Sequence, residues 1–216
     1  MNIIIFGPPG AGKGTQSDFI VSKYQLFQLS TGDLLRREIK NKSEIGLKIQ
    51  KTINAGNLVP DDIVGKLVEN IVSNKEYESR IIFDGYPRNL PQAKFLDELL
   101  IKYKQKINLV LNLTTKLETI KKRISGRYSC SKCGKIYNKF FNPPPESKDC
   151  CFEKLLIKRN DDNINVAIKR FNTYEKQTEP VLDFYKKKKL LKEVDAESSI
   201  EQIYKEISGI IAFIEG

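Results

Sequence analysis

A chain of 216 residues, 40% hydrophobic and 30% charged, carries enough apolar material for one well-packed domain with small insertions, which excludes a disordered or fibrous polypeptide. A formal charge of +10 without a single histidine points to polyanionic partners, either nucleic acid or phosphorylated small molecules. The longest apolar runs, at residues 3–6 and 107–113, are strand-length and exclude a spanning helix of about 20 residues; the first residues have neither the basic region nor the cleavage site of a signal peptide, so a cytoplasmic protein without a membrane partner is expected.

In chain order, residues 2–6 read as a buried strand, 13–24 as a helix and 27–30 as a short strand. Helical stretches follow over 32 to about 41, about 43–55 and 61–73. Residues 80–84 read as a strand, 91–104 as a helix, 107–113 as a strand and 116–125 as a helix. Beyond a Cys- and Pro-rich stretch come a long helix over 163–187, a strand over 190–195 and a helix over 198–214. Strand and helix in alternation predict an α/β fold with a five-stranded parallel sheet covered on both faces. Two stretches interrupt the alternation: residues 30–59, helical with no strand between, and residues 126–162, rich in Cys, Pro, Tyr and Phe. Both read as insertions at element ends, where open α/β sheets bind ligands.

The segment GPPGAGKGT at residues 7–15 follows a strand and opens a helix, the context a phosphate loop requires. Its glycines let backbone N–H groups converge on phosphate oxygens, the helix N-terminus adds partial positive charge, and Lys13 reaches the outer phosphates. Gly14 stands where a magnesium-binding Ser or Thr is usual, with Thr15 one residue later.

Together with STGDLLR at 30–36, DGYPR at 84–88 followed by Gln92, and RNDD at 159–162 followed by Arg170, this loop resembles the adenylate kinase family in its long-lid form, over essentially the whole chain and in the same order. The resemblance implies an ATP:AMP phosphotransferase that reversibly moves the γ-phosphoryl group of ATP to AMP, giving two ADP. It also implies Mg2+ accompanying ATP, no nucleic-acid partner and a monomer. The expected division is a core of residues 1–29, 60–125 and 163–216, a helical nucleoside-monophosphate-binding part over 30–59, and a small β-rich, metal-binding lid over 126–162.

By the same resemblance, Gly10, Ala11, Gly12, Lys13, Gly14 and Thr15 would hold ATP with Arg123, Arg127, Ile136, Tyr137 and Ser198. Thr31, Arg36, Asn57, Leu58, Val59, Gly85, Tyr86, Pro87, Arg88, Gln92, Arg159 and Arg170 would hold AMP, and Lys13, Arg88, Arg123, Arg159 and Arg170 would surround the group in transfer. Phosphoryl transfer is mostly positioning and charge neutralisation, so it calls for cationic forks rather than a nucleophile. Six of the eight arginines, Arg36, Arg88, Arg123, Arg127, Arg159 and Arg170, fall at such positions, against 29 lysines scattered along the chain. An AMP phosphate oxygen is already anionic and needs no general base, in keeping with the absence of histidine. Asp84, ending an apolar strand beside the phosphate loop, is the expected magnesium-shell carboxylate, with Asp33 contributing through water. One departure from the family is DAESSI at 195–200, which replaces a glycine-and-proline loop; a backbone contact from Ser198 would survive it.

All four cysteines fall within residues 130–151. Cys130 and Cys133 have a metal-knuckle spacing; after sixteen residues Cys150 and Glu153 repeat it, which predicts a closed, structural Zn2+ on Cys130, Cys133, Cys150 and Glu153. Cys151 is the rival fourth ligand, set behind Glu153 because adjacent side chains on an extended chain face opposite ways. The aromatics Tyr128, Tyr137, Phe140 and Phe141 are expected to form a miniature lid core. A kinase accepting UMP, CMP or GMP, and a zinc-ribbon nucleic-acid-binding ATPase, are the competing readings.

Overall fold

The computed structural model describes residues 1–145, 150–159 and 162–215. The spans expected for the lid and for the end of the core include residues 146–149, 160–161 and 216, which lie outside it. Along the chain run β1 (Asn2–Phe6), α1 (Lys13–Tyr24), β2 (Phe27–Ser30), α2 (Thr31–Lys40), α3 (Glu44–Asn54), α4 (Asp61–Val72), β3 (Ile81–Asp84), α5 (Leu90–Lys102), β4 (Ile107–Thr114) and α6 (Leu117–Ser125). They are followed by β5 (Arg127–Cys130), β6 (Ile136–Asn138), β7 (Leu156–Ile157), α7 (Ile164–Thr173), α8 (Glu179–Lys187), β8 (Leu191–Asp195) and α9 (Ile200–Glu215).

The main sheet has the expected five strands, in the order β2-β3-β1-β4-β8, all parallel. Every residue of β1 is buried because the strand is central and both its faces are covered. Ile4 and Phe6 join the side formed by α4, α5 and α8, whereas Ile3 and Ile5 join the side formed by α1 and α9. This period-two sorting explains why the strand reads as a continuous apolar run. Crossover helices leave all strand carboxyl ends at one edge of the sheet, where the phosphate loop, Asp84 and residues 195–199 meet. Residues 127–157 add a separate antiparallel sheet, β6-β5-β7.

Serines cap both helices of the first insertion. Ser30 Oγ accepts from Asp33 N at the start of α2, and Ser43 Oγ accepts from Gly46 N at the start of α3. The second cap draws α3 tightly against the end of α2, and a Cβ on Gly46 would lie 2.2 Å from Glu38 O. The helix expected over 163–187 is interrupted by a π turn, Tyr174–Thr178. Pro180 explains it: the ring has no N–H to donate and crowds the carbonyl one turn back, and a widened turn absorbs both.

Gly46→Ala therefore forces a backbone separation, costing about 1–3 kcal/mol. Gly209→Ala, in α9 with open space around the new methyl, gains about 0.5–1 kcal/mol from helix propensity. Thermal melts should move in opposite directions; a Gly46→Ala melt unchanged from the parent would refute the tight crossing.

Candidate active site

The phosphate loop is shaped by positive φ at Gly10 (87°) and Gly12 (100°), conformations in which a Cβ is strained. Gly12 caps α1 without any side-chain bond, and the first turn carries no carboxylate, so the helix N-terminus faces the cleft with its donors and its partial positive charge. Lys13 Nζ folds back onto the loop, donating to Gly7 O (2.6 Å) and Pro8 O (3.0 Å). Burial pulls its pKa down to about 8; Asp84 opposes this, while Arg88, Arg170 and Arg127 add repulsion.

A cleft of about 1290 Å³ opens above this loop. Its walls contain Lys13 and Arg36, Arg88, Arg123, Arg127, Arg159 and Arg170, together with Asp84 and Asp33; Arg37 and Arg80 are not on them. Each arginine reaches the cleft from a different element, and the printed partners show how several are held. Arg123, at the end of α6, donates to Ala11 O (2.9 Å) and Ala196 O (2.6 Å), tying the phosphate loop to the segment after β8. Arg127 forms a two-pronged pair with Asp162, one bond of 2.9 Å from Nε and a second from Nη2. Arg88 Nε donates to Gly85 O (2.7 Å). Arg36 pairs with Asp33, and Arg159 lies 3.8 Å from the same carboxylate. Burial, then Arg36 and Arg127, bring Arg159 down to about 10. Burial also raises the Asp84 carboxyl above its usual range, with Lys13 opposing. For Asp33 burial acts upward, yet Arg36 outweighs it and the net shift is downward.

A second recess, of about 50 Å³, lies beside the cleft and is lined by Thr31, Arg36, Asn57, Leu58, Val59, Gly85, Arg88, Gln92 and Arg170 among others. Thr31 Oγ1 donates to Gly85 O (2.8 Å). The Gln92 amide is held at both ends, accepting from Arg88 N (2.7 Å) and donating to Asp61 Oδ1 (2.6 Å). Tyr86 departs from expectation. Its ring is buried in the core and does not line either space, and its hydroxyl donates to Gln92 O (3.4 Å). Gly10, Ala11, Gly12, Gly14, Thr15, Ile136, Tyr137, Pro87 and Ser198 all line the larger cleft. A Cβ at Gly14 would touch Ile136 Cδ1 at 3.5 Å, so β6 lies directly over the first turn of α1.

Several contributing residues carry no motif. Gln28 Nε2 donates to Asp84 Oδ2 (3.2 Å). Thr178 Oγ1 donates to Arg88 O (2.8 Å), and Tyr174 OH donates to Asn112 Oδ1 (3.1 Å); both side chains line the cleft from the π turn. Pro180 within a helical pattern is a signal that could have pointed to Tyr174 and Thr178; Gln28 carries none. Of the lid aromatics only Tyr137 is buried. Phe140 and Phe141 are exposed and line the cleft, Phe141 beneath the Arg123 guanidinium at 5.4 Å, so they are not a miniature core.

The metal-ligand set needs a correction. The Sγ atoms of Cys130, Cys133, Cys150 and Cys151 lie within 4.8 Å of one another, and Glu153 is outside this group among the described residues. Glu153 is exposed and begins a 3-10 turn, Glu153–Leu155. The alternation argument fails because the chain is not extended here: Cys151 has φ 68°, a left-handed conformation that turns its thiol to the same side as that of Cys150, 3.4 Å away. Separations of 3.8 Å (Cys130–Cys150) and 3.4 Å (Cys133–Cys151) are far too long for disulfides. They approach the roughly 3.8 Å edge of a tetrahedron with Zn–S bonds of 2.3 Å. The Cys133 N–H, above all, brings the Cys130 thiol down to about 6. Sulfur hydrogen bonds led by that from Cys151 push the Cys150 thiol up to about 12. Four thiols this close cannot all ionise without a cation among them.

The profile of the adenylate kinase family matches residues 5–190. Adenylate kinase of Pelagibacter ubique is 46% identical over 98% of this chain and 99% of its own; that of Fusobacterium nucleatum is 44% identical over 98% of each. The archaeal adenylate kinase of Archaeoglobus fulgidus is 40% identical across the whole of both chains. With the phosphate loop, the arginine-lined cleft and likeness along its full length, the chain belongs to the adenylate kinase family, phosphotransferases that take a phosphate group as acceptor.

Proposed function

We propose that ATP lies with its phosphates on the loop at residues 10–15, AMP lies with its phosphate toward Arg36 and Arg88, and the γ-phosphoryl group passes between them inside the cleft, giving two ADP. The observation that carries this reading is the convergence of Lys13 and six of the chain's eight arginines on one cleft. Lysines outnumber arginines more than threefold, and surface solvation would not gather the scarcer cation there.

On this reading the adenine of AMP enters the recess of Thr31, Leu58, Val59 and Gln92. That of ATP lies toward Ser198 and Arg127, under the strand carrying Ile136 and Tyr137. An AMP phosphate oxygen attacks the γ-phosphorus in line with the departing ADP oxygen, and no side chain has to accept a proton. Lys13 exchanges its carbonyl partners at Gly7 and Pro8 for phosphate oxygens, while Arg88, Arg123, Arg159 and Arg170 offset the equatorial charge. Asp84 is the residue fitted to hold Mg2+ around the phosphates, its burial-raised carboxyl awaiting a cation; the bound ion would neutralise charge on the phosphate oxygens. Residues 30–59 and 126–162 act as parts that close over the core of 1–29, 60–125 and 163–216 and keep water, a competing acceptor, away.

Cys130, Cys133, Cys150 and Cys151 would hold a structural Zn2+. Four protein ligands leave no open position, and the lid strands, two to four residues long, have little core of their own.

Three outcomes test these assignments. Arg88→Ala, assayed with ATP, AMP and magnesium while following ADP, should lower kcat/KM at least about 10²-fold with the melting temperature nearly unchanged; turnover at the parent rate would remove Arg88 from the transfer site. The free Lys13 loses its proton near pH 8, and phosphate binding raises its pKa. ATP binding at pH 8.5–9 should therefore take up a proton and weaken as pH rises, seen by calorimetry in buffers of different ionisation enthalpy; a buffer-independent enthalpy there would contradict it. Metal analysis should find about one equivalent of zinc in the parent and in Glu153→Gln but not in Cys151→Ser, whose melt should resemble that of chelated parent; zinc lost from Glu153→Gln and kept by Cys151→Ser would reverse the ligand assignment.

A further inference from the structure

The segment after β8 holds a carboxylate that makes no hydrogen bond to the phosphate loop yet is bonded to the start of α6, the helix whose Arg123 reaches that loop. Helix α6 starts without a cap of its own, since Lys116 at the N-cap position makes no side-chain capping bond. Glu197, about eighty residues along the chain, supplies one. Its Oε1 accepts from Lys116 N (2.8 Å) and from Thr115 Oγ1, and its Oε2 accepts from Thr119 Oγ1 (2.8 Å). Negative charge at a helix N-terminus also suits the dipole. The loop bearing Glu197 is itself fixed: Glu197 N donates to Asp195 Oδ1 (2.9 Å), Ala196 N donates to Thr114 O (2.8 Å), and Ala196 is fully buried.

At the far end of α6, Arg123 closes a circuit. One guanidinium nitrogen donates to Ala196 O in the same loop and the other to Ala11 O in the phosphate loop. Helix α6 is thus tied at both ends to residues 196–197, and the next residue, Ser198, lines the cleft.

We propose that Glu197 is a positioning residue for the ATP half of the site: by clamping the start of α6 it sets the spacing between the phosphate loop, Arg123 and the Ser198 backbone, and so sets affinity for ATP without contacting it. The inference rests on the reading of the cleft as the ATP–AMP site. The Thr115 hydroxyl and the Lys116 N–H, opposed by burial and helped by Thr119 and Arg123, hold the Glu197 carboxyl at about 2, so the clamp stays ionised throughout the working pH range.

The test is calorimetric titration of ATP, without AMP, into the full-length parent, Glu197→Ala, Glu197→Gln and Thr119→Val, alongside KM for each nucleotide. Glu197→Ala should weaken ATP binding and raise its KM about tenfold, with KM for AMP within about twofold. Glu197→Gln should restore ATP binding to within about threefold, because an amide can accept from Thr115 and Lys116 and donate to Thr119 Oγ1. Equal losses for both nucleotides, unchanged ATP binding in Glu197→Ala, or a Gln variant as weak as the Ala variant would each overturn the proposal. Should Glu197→Ala not fold, Thr119→Val removes one arm of the clamp and should weaken ATP alone, about twofold to threefold; no change would overturn the clamp. Failure of the underlying reading looks different, since the parent itself would then bind no ATP or turn over no AMP.

Discussion

Among the described residues eight cations, Lys13, Lys135 and six arginines, line one cleft and repel one another, and that repulsion is the constraint around which the fold is arranged. It adds to burial, the first cause in each case, in bringing Arg159 down to about 10 and, against the opposing Asp84, Lys13 down to about 8. The carboxylates of Asp33, Asp84 and Asp162 sit among these charges, Asp18 and Glu201 also line the cleft, and backbone carbonyls at Gly7, Pro8, Ala11, Gly85 and Ala196 accept further bonds. A carbonyl orients a guanidinium without neutralising it. The cleft therefore remains a strong anion site, and on the proposed reading polyphosphate would supply the charge that the protein withholds. Preorganised cations of this kind are useful to phosphoryl transfer because no reorganisation is required as charge redistributes in the transition state.

The sheet delivers this arrangement cheaply. Parallel strands with helical crossovers bring every βα junction to one edge, so residues distant in sequence converge without long loops. The phosphate loop follows β1, Asp84 ends β3, and Ser198 follows β8. Arg123 reaches inward from α6 and is braced at both ends of its fork. Local chemistry completes the positions: Gly10 and Gly12 permit the left-handed turns that aim the N–H groups, and Pro180 widens the turn that brings Thr178 to the Arg88 carbonyl.

Most of this was legible in the residues because the signals were local. The strand β1 reads as an apolar run since both faces are covered, and GPPGAGKGT is a contiguous motif whose geometry depends on its own glycines. What could not be read was tertiary. Glu197 reaches α6 across about eighty residues, Gln28 reaches Asp84 between adjacent strands, and nothing in the spacing of either announces a partner. Tyr86 sits inside a motif yet faces the core, because alternate side chains of a tight turn need not share a direction. The cysteine pair failed for a definite reason: the alternation rule holds for extended chain, and a left-handed residue at Cys151 puts neighbouring thiols on one side, displacing Glu153 from the set. Phe140 and Phe141 show the limit of compositional reasoning, since aromatic residues in a small β unit served a cleft wall rather than a core.

The central claim is that one continuous field of fixed cations and backbone amides receives two nucleotides end to end. A crystal structure with a bisubstrate mimic, two adenosines joined by a chain of phosphates, tests it most directly. The account predicts the polyphosphate running from the loop at Lys13 to Arg88, one adenine beside Thr31 and Gln92 and the other beside Ser198. A mimic bound elsewhere, or lying with its phosphates away from Lys13 and Arg88, would contradict it.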